Sequence, residues 1–336
     1  MMIETQLTST RKEAYLNEYK GLLFEFLVAH NLAKHYKFEA TFLKALSAQM
    51  MSTLQSYQKQ IRHLDLELAR ELPNLAQQCC QFMVPLLGPS VKAVDLVGKL
   101  KTDAATHTES DLNILCSDHH YAIGLKLSKN QAYVNTKSGG LKSFISSYFP
   151  SDLGERAQQQ LNQLVEASFF DMGRSMYEQV NLKWQGHFGP EWARAGFSEL
   201  PGELPEHLHK ILSSSYARLA QSLCGIFVKI QQEDCDVWTK GITKLCGMSQ
   251  PDLWQIICFH QATANGRYQL AKLELLNHDL LSQEVPNATI GEHKANLASF
   301  TIQLKHLSLQ IRVKPMNVFT QAAMKVNCSL KFASTP

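Results

Sequence analysis

The stretch "ESDLNILCSDHHYAIGLKLSKNQAYVNTKSGG", from Glu109 to Gly140, decides how the chain is read. Two runs in it, "DLNILC" (111–116) and "YAIGLKLS" (121–128), alternate apolar and polar residues with the period of a half-buried strand. With "SDHH" (117–120) as the loop of an antiparallel hairpin, Cys116 opposes Tyr121, Asn113 opposes Gly124 and Asp111 opposes Lys126. One face then carries Asp111, Asn113, Gly124, Lys126 and Ser128, and the other carries Leu112, Ile114, Cys116, Tyr121, Ile123, Leu125 and Leu127. The apolar face must pack on a core. Asp111 and Lys126 are left as neighbours beside a residue with no side chain. They form either a cross-strand ion pair on a wet face, worth at most about 1 kcal/mol, or a reaction centre.

Upstream of this hairpin the periodicity is helical. Residues 12–36, "KEAYLNEYKGLLFEFLVAHNLAKHY", follow Ser9 and Thr10, either of which can cap the helix. Residues 40–87 read as two or three helices, broken at Pro73 and closed by "GPS" at 88–90. Strand-like runs then begin with "VKAVDLVGKL" (91–100), continue through the hairpin and add "AYVNTK" (132–137). "GGLKSFISSYF" is expected to start a helix after its glycine pair, and residues 152–285 read as mainly helical. The C-terminal runs "SFTIQLKHLSLQIRVKP" and "AAMKVNCSLKF" alternate again and predict strands around the "PMN" turn.

A chain of 336 residues suffices for one large domain or two modest ones. With 45% hydrophobic and 19% charged residues the composition is that of a globular protein. The first thirty residues lack the apolar run of a secretory signal, and no segment offers about 18 consecutive apolar residues. The expectation is a cytoplasmic protein with no membrane partner. The eight cysteines include no CxxC pair and read as buried free thiols rather than a metal or disulfide framework. Hydrolase G-x-S-x-G, phosphate-binding G-x-x-x-x-G-K-[ST] and dinucleotide motifs are missing, so hydrolase triads, NTPases and dehydrogenases lose ground. The net charge of +3 is small, but its distribution is uneven. Lys126, Lys129, Lys137 and Lys142 lie in an acid-free stretch from His119 to Ser151. Lys305, Arg312, Lys314, Lys325 and Lys331 lie in another from Thr301 onward. Together they would suit a polyanion if the fold unites them.

With these residues in view, the chain resembles the PD-(D/E)xK nuclease superfamily over about residues 15–150. "KGLLFEFLVAHNLA" (20–33) looks like the family's first core helix, with Glu25 facing the active site. "SDLNIL" looks like the second-strand motif with Asp111, and "IGLKLS" like the third-strand motif with Lys126. The family usually has Glu, Asp or Gln two residues before the lysine, where this sequence has Gly124. The resemblance implies a restriction-endonuclease-like mixed sheet flanked by helices, an α+β or α/β fold. A nuclease-like core would span 1–150 with a helical insertion at about 38–88. A mainly helical region, 151–336, would end in a β-hairpin and serve DNA binding or dimerisation.

The resemblance further implies Mg²⁺ or Mn²⁺ held by Asp111, the main-chain carbonyl of Leu125 and Glu25, with Glu109 or Asp95 as alternative acids. Glu25, Asp111 and Lys126 would form the catalytic set. Oxygen donors and an open site suit these hard cations, and a lysine can orient or activate the attacking water. Gln131, Asn135, Lys137, Ser138 and Lys142, with Arg312, Lys314 and Lys325, are the expected nucleic-acid contacts. The reading is a metal-dependent endonuclease on DNA, of a restriction or defence kind, acting as a homodimer where double-strand cleavage at symmetric sites requires it. The alternative is a noncatalytic nucleic-acid-binding or scaffold protein that kept a degenerate nuclease fold. A helical interaction protein whose hairpin is only structural is a third possibility.

Overall fold

The computed structural model describes residues 9–97 and 110–333. The fold is mixed α+β, with 52% helix and 23% strand. Two compact units divide the chain: Met1–Ala132 with Met248–His278, and Tyr133–Gly247 with Asp279–Pro336. The boundary thus falls after Ala132 rather than near residue 150, and residues 248–278 return to the first unit.

The helices of the first unit are α1 (Ser9–His35), α2 (Glu39–Ala45), α3 (Ala48–Leu64) and α4 (Leu66–Leu87). Ser9 and Thr10, the expected caps, lie within α1 as described. Ser47 caps α3 by accepting from Met50 N–H at 3.1 Å, and Asp65 caps α4 by accepting from Leu68 N–H at 3.0 Å. Asp65, with φ −153° and ψ 91°, is where the chain breaks between α3 and α4. Pro73 lies inside α4, so the break expected there does not occur. A proline costs a helix one hydrogen bond, which packing compensates here, since Leu72, Leu75 and Ala76 around it are fully buried.

The strands are β1 (Val91–Leu96), β2 (Leu112–Cys116), β3 (His120–Lys129), β4 (Val134–Gly140), β5 (Leu253–Ala262) and β6 (Tyr268–Leu276). Near the C-terminus come β7 (Thr289–Ile290), β8 (Ser299–Gln303), β9 (Leu307–Pro315) and β10 (Met324–Phe332). The first unit holds a sheet in the order β1-β2-β3-β5-β6. Its β3–β5 pair is parallel and its other pairs are antiparallel. The apolar face of the hairpin packs as the alternation requires. Leu112, Ile114, Cys116, Ile123 and Leu125 join Phe24, Val28 and Leu32 of α1 and Leu72 and Leu75 of α4 in one core with Ile256 and Cys258. Each such side chain contributes about 1.5–3 kcal/mol by leaving water.

Residues 253–276 are two strands, not helix. The run "LWQIICFHQA" shows no alternation because β5 is a central strand, with six consecutive residues from Gln255 to His260 buried. A short continuous apolar run does not distinguish a buried strand from a helix.

The second unit holds an antiparallel sheet in the order β4-β10-β9-β8-β7. The expected C-terminal hairpin is present as β9 and β10, but β4 pairs with β10 rather than extending the sheet of β2 and β3. Gly139 and Gly140 end β4 opposite Val326 and Lys325; a 3-10 turn at Leu141–Ser143 separates them from α5 (Phe144–Tyr148). The remaining helices are α6 (Asp152–Gln179), α7 (Pro190–Arg194), α8 (Glu206–Glu233), α9 (Cys235–Leu245) and α10 (His278–Glu284). The loose stretch at 189–207 is an internal connection, tied down by the buried Trp192, whose indole N–H donates to Ser198 carbonyl at 3.1 Å. Ser168 and Ser215 hydroxyls, 2.8 Å apart, join α6 to α8, and the rings of Phe227 and Phe300, 5.3 Å apart, join α8 to the sheet. Among the described residues no helix is long and apolar enough to cross a membrane.

Candidate active site

The hairpin that carries the site turns more tightly than the expected register. Cys116 N–H donates to His119 carbonyl at 2.8 Å, so the loop is Ser117–Asp118 alone. Leu112 opposes Ile123, and Asn113 opposes Ala122. The slip is two residues. Because side chains alternate with period two, it leaves every residue on its expected face while changing every cross-strand neighbour. Asp111 therefore no longer opposes Lys126 directly.

At Asp111 strand β2 leaves the ladder. The Asp111 N–H donates to Ile123 carbonyl at 2.8 Å, and Asp111 carbonyl accepts from Val97 N–H at 2.9 Å. Asp111 Oδ2 accepts from Leu125 N–H at 2.7 Å, so a side-chain oxygen replaces the strand carbonyl as the partner of β3. This is the length of a charge-assisted bond. It holds the carboxylate against β3 one residue before Lys126, with Gly124 presenting no side chain beside it. Lys126 is half-buried and makes no ion pair among the described residues. An ion pair between Asp111 and Lys126 is not found among the described residues.

Glu25 comes from α1, which packs on β1 and β3, and it is half-buried. A Cβ on Gly21 would lie 4.0 Å from Glu25 Oε1, so the glycine one turn earlier leaves room beside the carboxylate. Of the alternative acids, Asp95 is exposed and opposes Asn113, and Glu109 lies outside the described residues. No group of three or more His, Cys, Asp or Glu side chains able to hold a metal ion is found among the described residues. The carboxylates expected to bind metal are single ones, Asp111 anchored on β3 and Glu25 on α1. Mg²⁺ tolerates such a set, since it is commonly held by one or two carboxylates and keeps several waters.

The sequence reading missed what β5 and β6 bring. Parallel pairing sets Gln255 beside Gly124 and Ile257 beside Lys126, and Glu274 of β6 opposes Ile257. Gln255 is 4% exposed, so the place next to the missing acid holds a buried amide. Glu274 pairs with Lys272 at 3.0 Å. Only the assignment of 253–276 to strands could have pointed to these residues.

The expected nucleic-acid contacts separate. Gln131 is an exposed turn residue of the first unit with φ 60°. Lys142 pairs with Glu166, which compensates its charge. Lys137 pairs in register with the buried Cys328, and burial lowers its pKa, so it lies on the core side of its sheet. Asn135, Ser138, Arg312, Lys314 and Lys325 fall together on the opposite, outer face of the second sheet. There Asn135 opposes Ser329 and Ser138 opposes Asn327, which in turn opposes Arg312, while Lys325 opposes Lys314. Comparison with known proteins adds no relative to this geometry: no family model, no curated protein and no solved structure matches the chain.

Proposed function

We propose that the protein is a Mg²⁺- or Mn²⁺-dependent nuclease that hydrolyses phosphodiester bonds in DNA, with Asp111, Lys126 and Glu25 as its reacting groups. The observation that carries this reading is the anchoring of Asp111 Oδ2 by Leu125 N–H at 2.7 Å, which sets an acid against the strand residue that precedes Lys126. Helix α1 ahead of the β1-β2-β3 meander, in a mixed sheet, supports a restriction-endonuclease-like architecture.

Asp111, Glu25 and the main-chain carbonyl of Leu125 would hold the divalent ion, and Gln255 would occupy the space beside Gly124 with a neutral amide. When bound, the ion supplies positive charge to the phosphate oxygens as negative charge builds there. Lys126 orients the attacking water and donates to the phosphate. Water adds at phosphorus as one of its protons passes to solvent, the P–O bond to the leaving oxygen breaks, and that oxygen takes up a proton from solvent to leave as an alcohol. A twofold dimer would set two such centres on a symmetric duplex site.

The test is cleavage of plasmid DNA, single-stranded DNA and RNA with Mg²⁺ or Mn²⁺, comparing wild type with Asp111→Asn and Lys126→Met. A fall of about 100-fold or more in each variant is expected, the scale of a lost acid–base or charge-stabilising group. Gly124, in place of an acid, favours the second reading, a noncatalytic binder. Intact substrates with wild-type protein under every metal condition would establish it.

A further inference from the structure

Among the described residues, strands β4, β8, β9 and β10 contribute no acid to the outer face of the second sheet. Across its four longer strands it presents Asn135 and Ser138 of β4, Lys325, Asn327, Ser329 and Lys331 of β10, Ser308, Gln310, Arg312 and Lys314 of β9, and Thr301 of β8. The inner face of the same strands is, Lys137 of β4 apart, apolar and buried, with Phe300, Leu309, Ile311, Val313, Val326, Cys328 and Leu330 at 3% exposure or less. The polar face is therefore determined by alternation, not by chance surface composition.

Its charges are arranged against the interest of the isolated sheet. Lys325 stands directly opposite Lys314, with Arg312 two residues along β9. Like charges in opposed positions destabilise a sheet. None of these three cations makes an ion pair among the described residues. Lys314 shows the consequence: its pKa is lowered, first by burial, then by Lys325 and Arg312. At the far end of β10, Lys331 Nζ lies 5.6 Å from the ring centre of Tyr133, which is 44% exposed. Between the two ends the neutral residues tie to one another. Ser138 donates to Asn327 at 2.9 Å, and Ser329 donates to Asn135 at 2.8 Å.

We propose that this face is a docking surface for the phosphate backbone of double-stranded nucleic acid, read without regard to base sequence. Lys325 to Lys331 spans roughly 20 Å at about 3.4 Å per residue, the rise of about six base pairs. A face with hydroxyls, amides and cations suits phosphate and sugar oxygens, which carry no sequence information. Tyr133 at one edge is the single exposed ring, whereas single-strand binders align several aromatic platforms. The partner's identity rests on the nuclease reading, but the charges act whether or not the protein cuts.

The test is fluorescence anisotropy of a labelled 20-base-pair duplex of arbitrary sequence in EDTA, titrated with salt. Three phosphate contacts give a slope of about −2.7 in log K against log salt, hence a loss of about 40-fold between 50 and 200 mM. Lys314→Ala and Lys325→Ala should each lower the slope by about one and weaken all duplex sequences alike. The titration in EDTA scores binding with no divalent ion present, and cleavage is scored separately with Mg²⁺, so failure of the docking surface is distinguishable from failure of the catalytic centre. Lack of binding at 50 mM salt, an unchanged slope in the Arg312→Ala, Lys314→Ala, Lys325→Ala triple variant, or tighter binding to single strands or anionic vesicles would overturn the proposal. Circular dichroism of the variants identifies any that fail to fold, and Lys→Gln replacements then repeat the test.

Discussion

Two replacements of Asp111 separate its chemistry from its part in the fold. In the wild type its Oδ2 is the acceptor for Leu125 N–H at 2.7 Å, on a strand residue that is 3% exposed. Asp111→Ala removes that acceptor and leaves a buried N–H without one, at a cost of about 1–3 kcal/mol. Asp111→Asn keeps an oxygen in place and loses only the charge assistance, about 1 kcal/mol. Urea denaturation followed by circular dichroism should therefore rank wild type, Asn and Ala in falling order with one common slope. Cleavage should be lost in both variants, in the Asn variant without unfolding. An alanine variant as stable as wild type would show that the bond does not hold β2 to β3. An asparagine variant that still cuts would remove the acid from the reaction.

His260 is 1% exposed, and burial, then Lys20 and Lys129, depress its pKa from 6.5 to about 4. The folded state thus resists a proton that the unfolded chain accepts, so stability present above pH 6.5 should fall by about 3 kcal/mol on acidification to pH 4. Unfolding titrations across that range should flatten in His260→Leu. Gly241→Ala would set a Cβ 2.3 Å from Phe149 and 2.9 Å from the Tyr148 carbonyl, and thermal melts should report a loss of at least about 2 kcal/mol. Of the eight cysteines only Cys235 is exposed, and burial raises Cys80 to about 11 and Cys258 to about 12. A thiol reagent at neutral pH should label Cys235 rapidly and the rest only on unfolding, as mass spectrometry of digests would show.

The hairpin was legible in face but not in register. Alternation sorted Leu112, Ile114, Ile123 and Leu125 to the core side, yet it is blind to a slip of two residues, and the tight Ser117–Asp118 turn carries no glycine to announce itself. Pro73 misled because proline penalises a helix locally while the packing that tolerates it is tertiary. Lys137 shares its stretch with Ser138, but strand alternation and a bulge between Cys328 and Ser329 turn it inward. Gln255 stood outside any local signal, because its nearness to Gly124 depends on a parallel pairing between distant parts of the chain.

That pairing governs how the protein is made. Strand β3 is complete when residue 129 is synthesised, but β5, which covers its open edge, begins only at Leu253. At about 5–20 residues per second the nascent chain carries that uncovered edge for roughly 6–25 s while the intervening segment of the second unit is produced. An open edge with unpaired N–H and C=O groups is a template for pairing with another chain. For this protein, then, yield in a cell is expected to fall where translation slows or chaperones are scarce across residues 130–253. Ending the chain after Ala132 or after Gly247 would leave β3 without β5 and its edge uncovered.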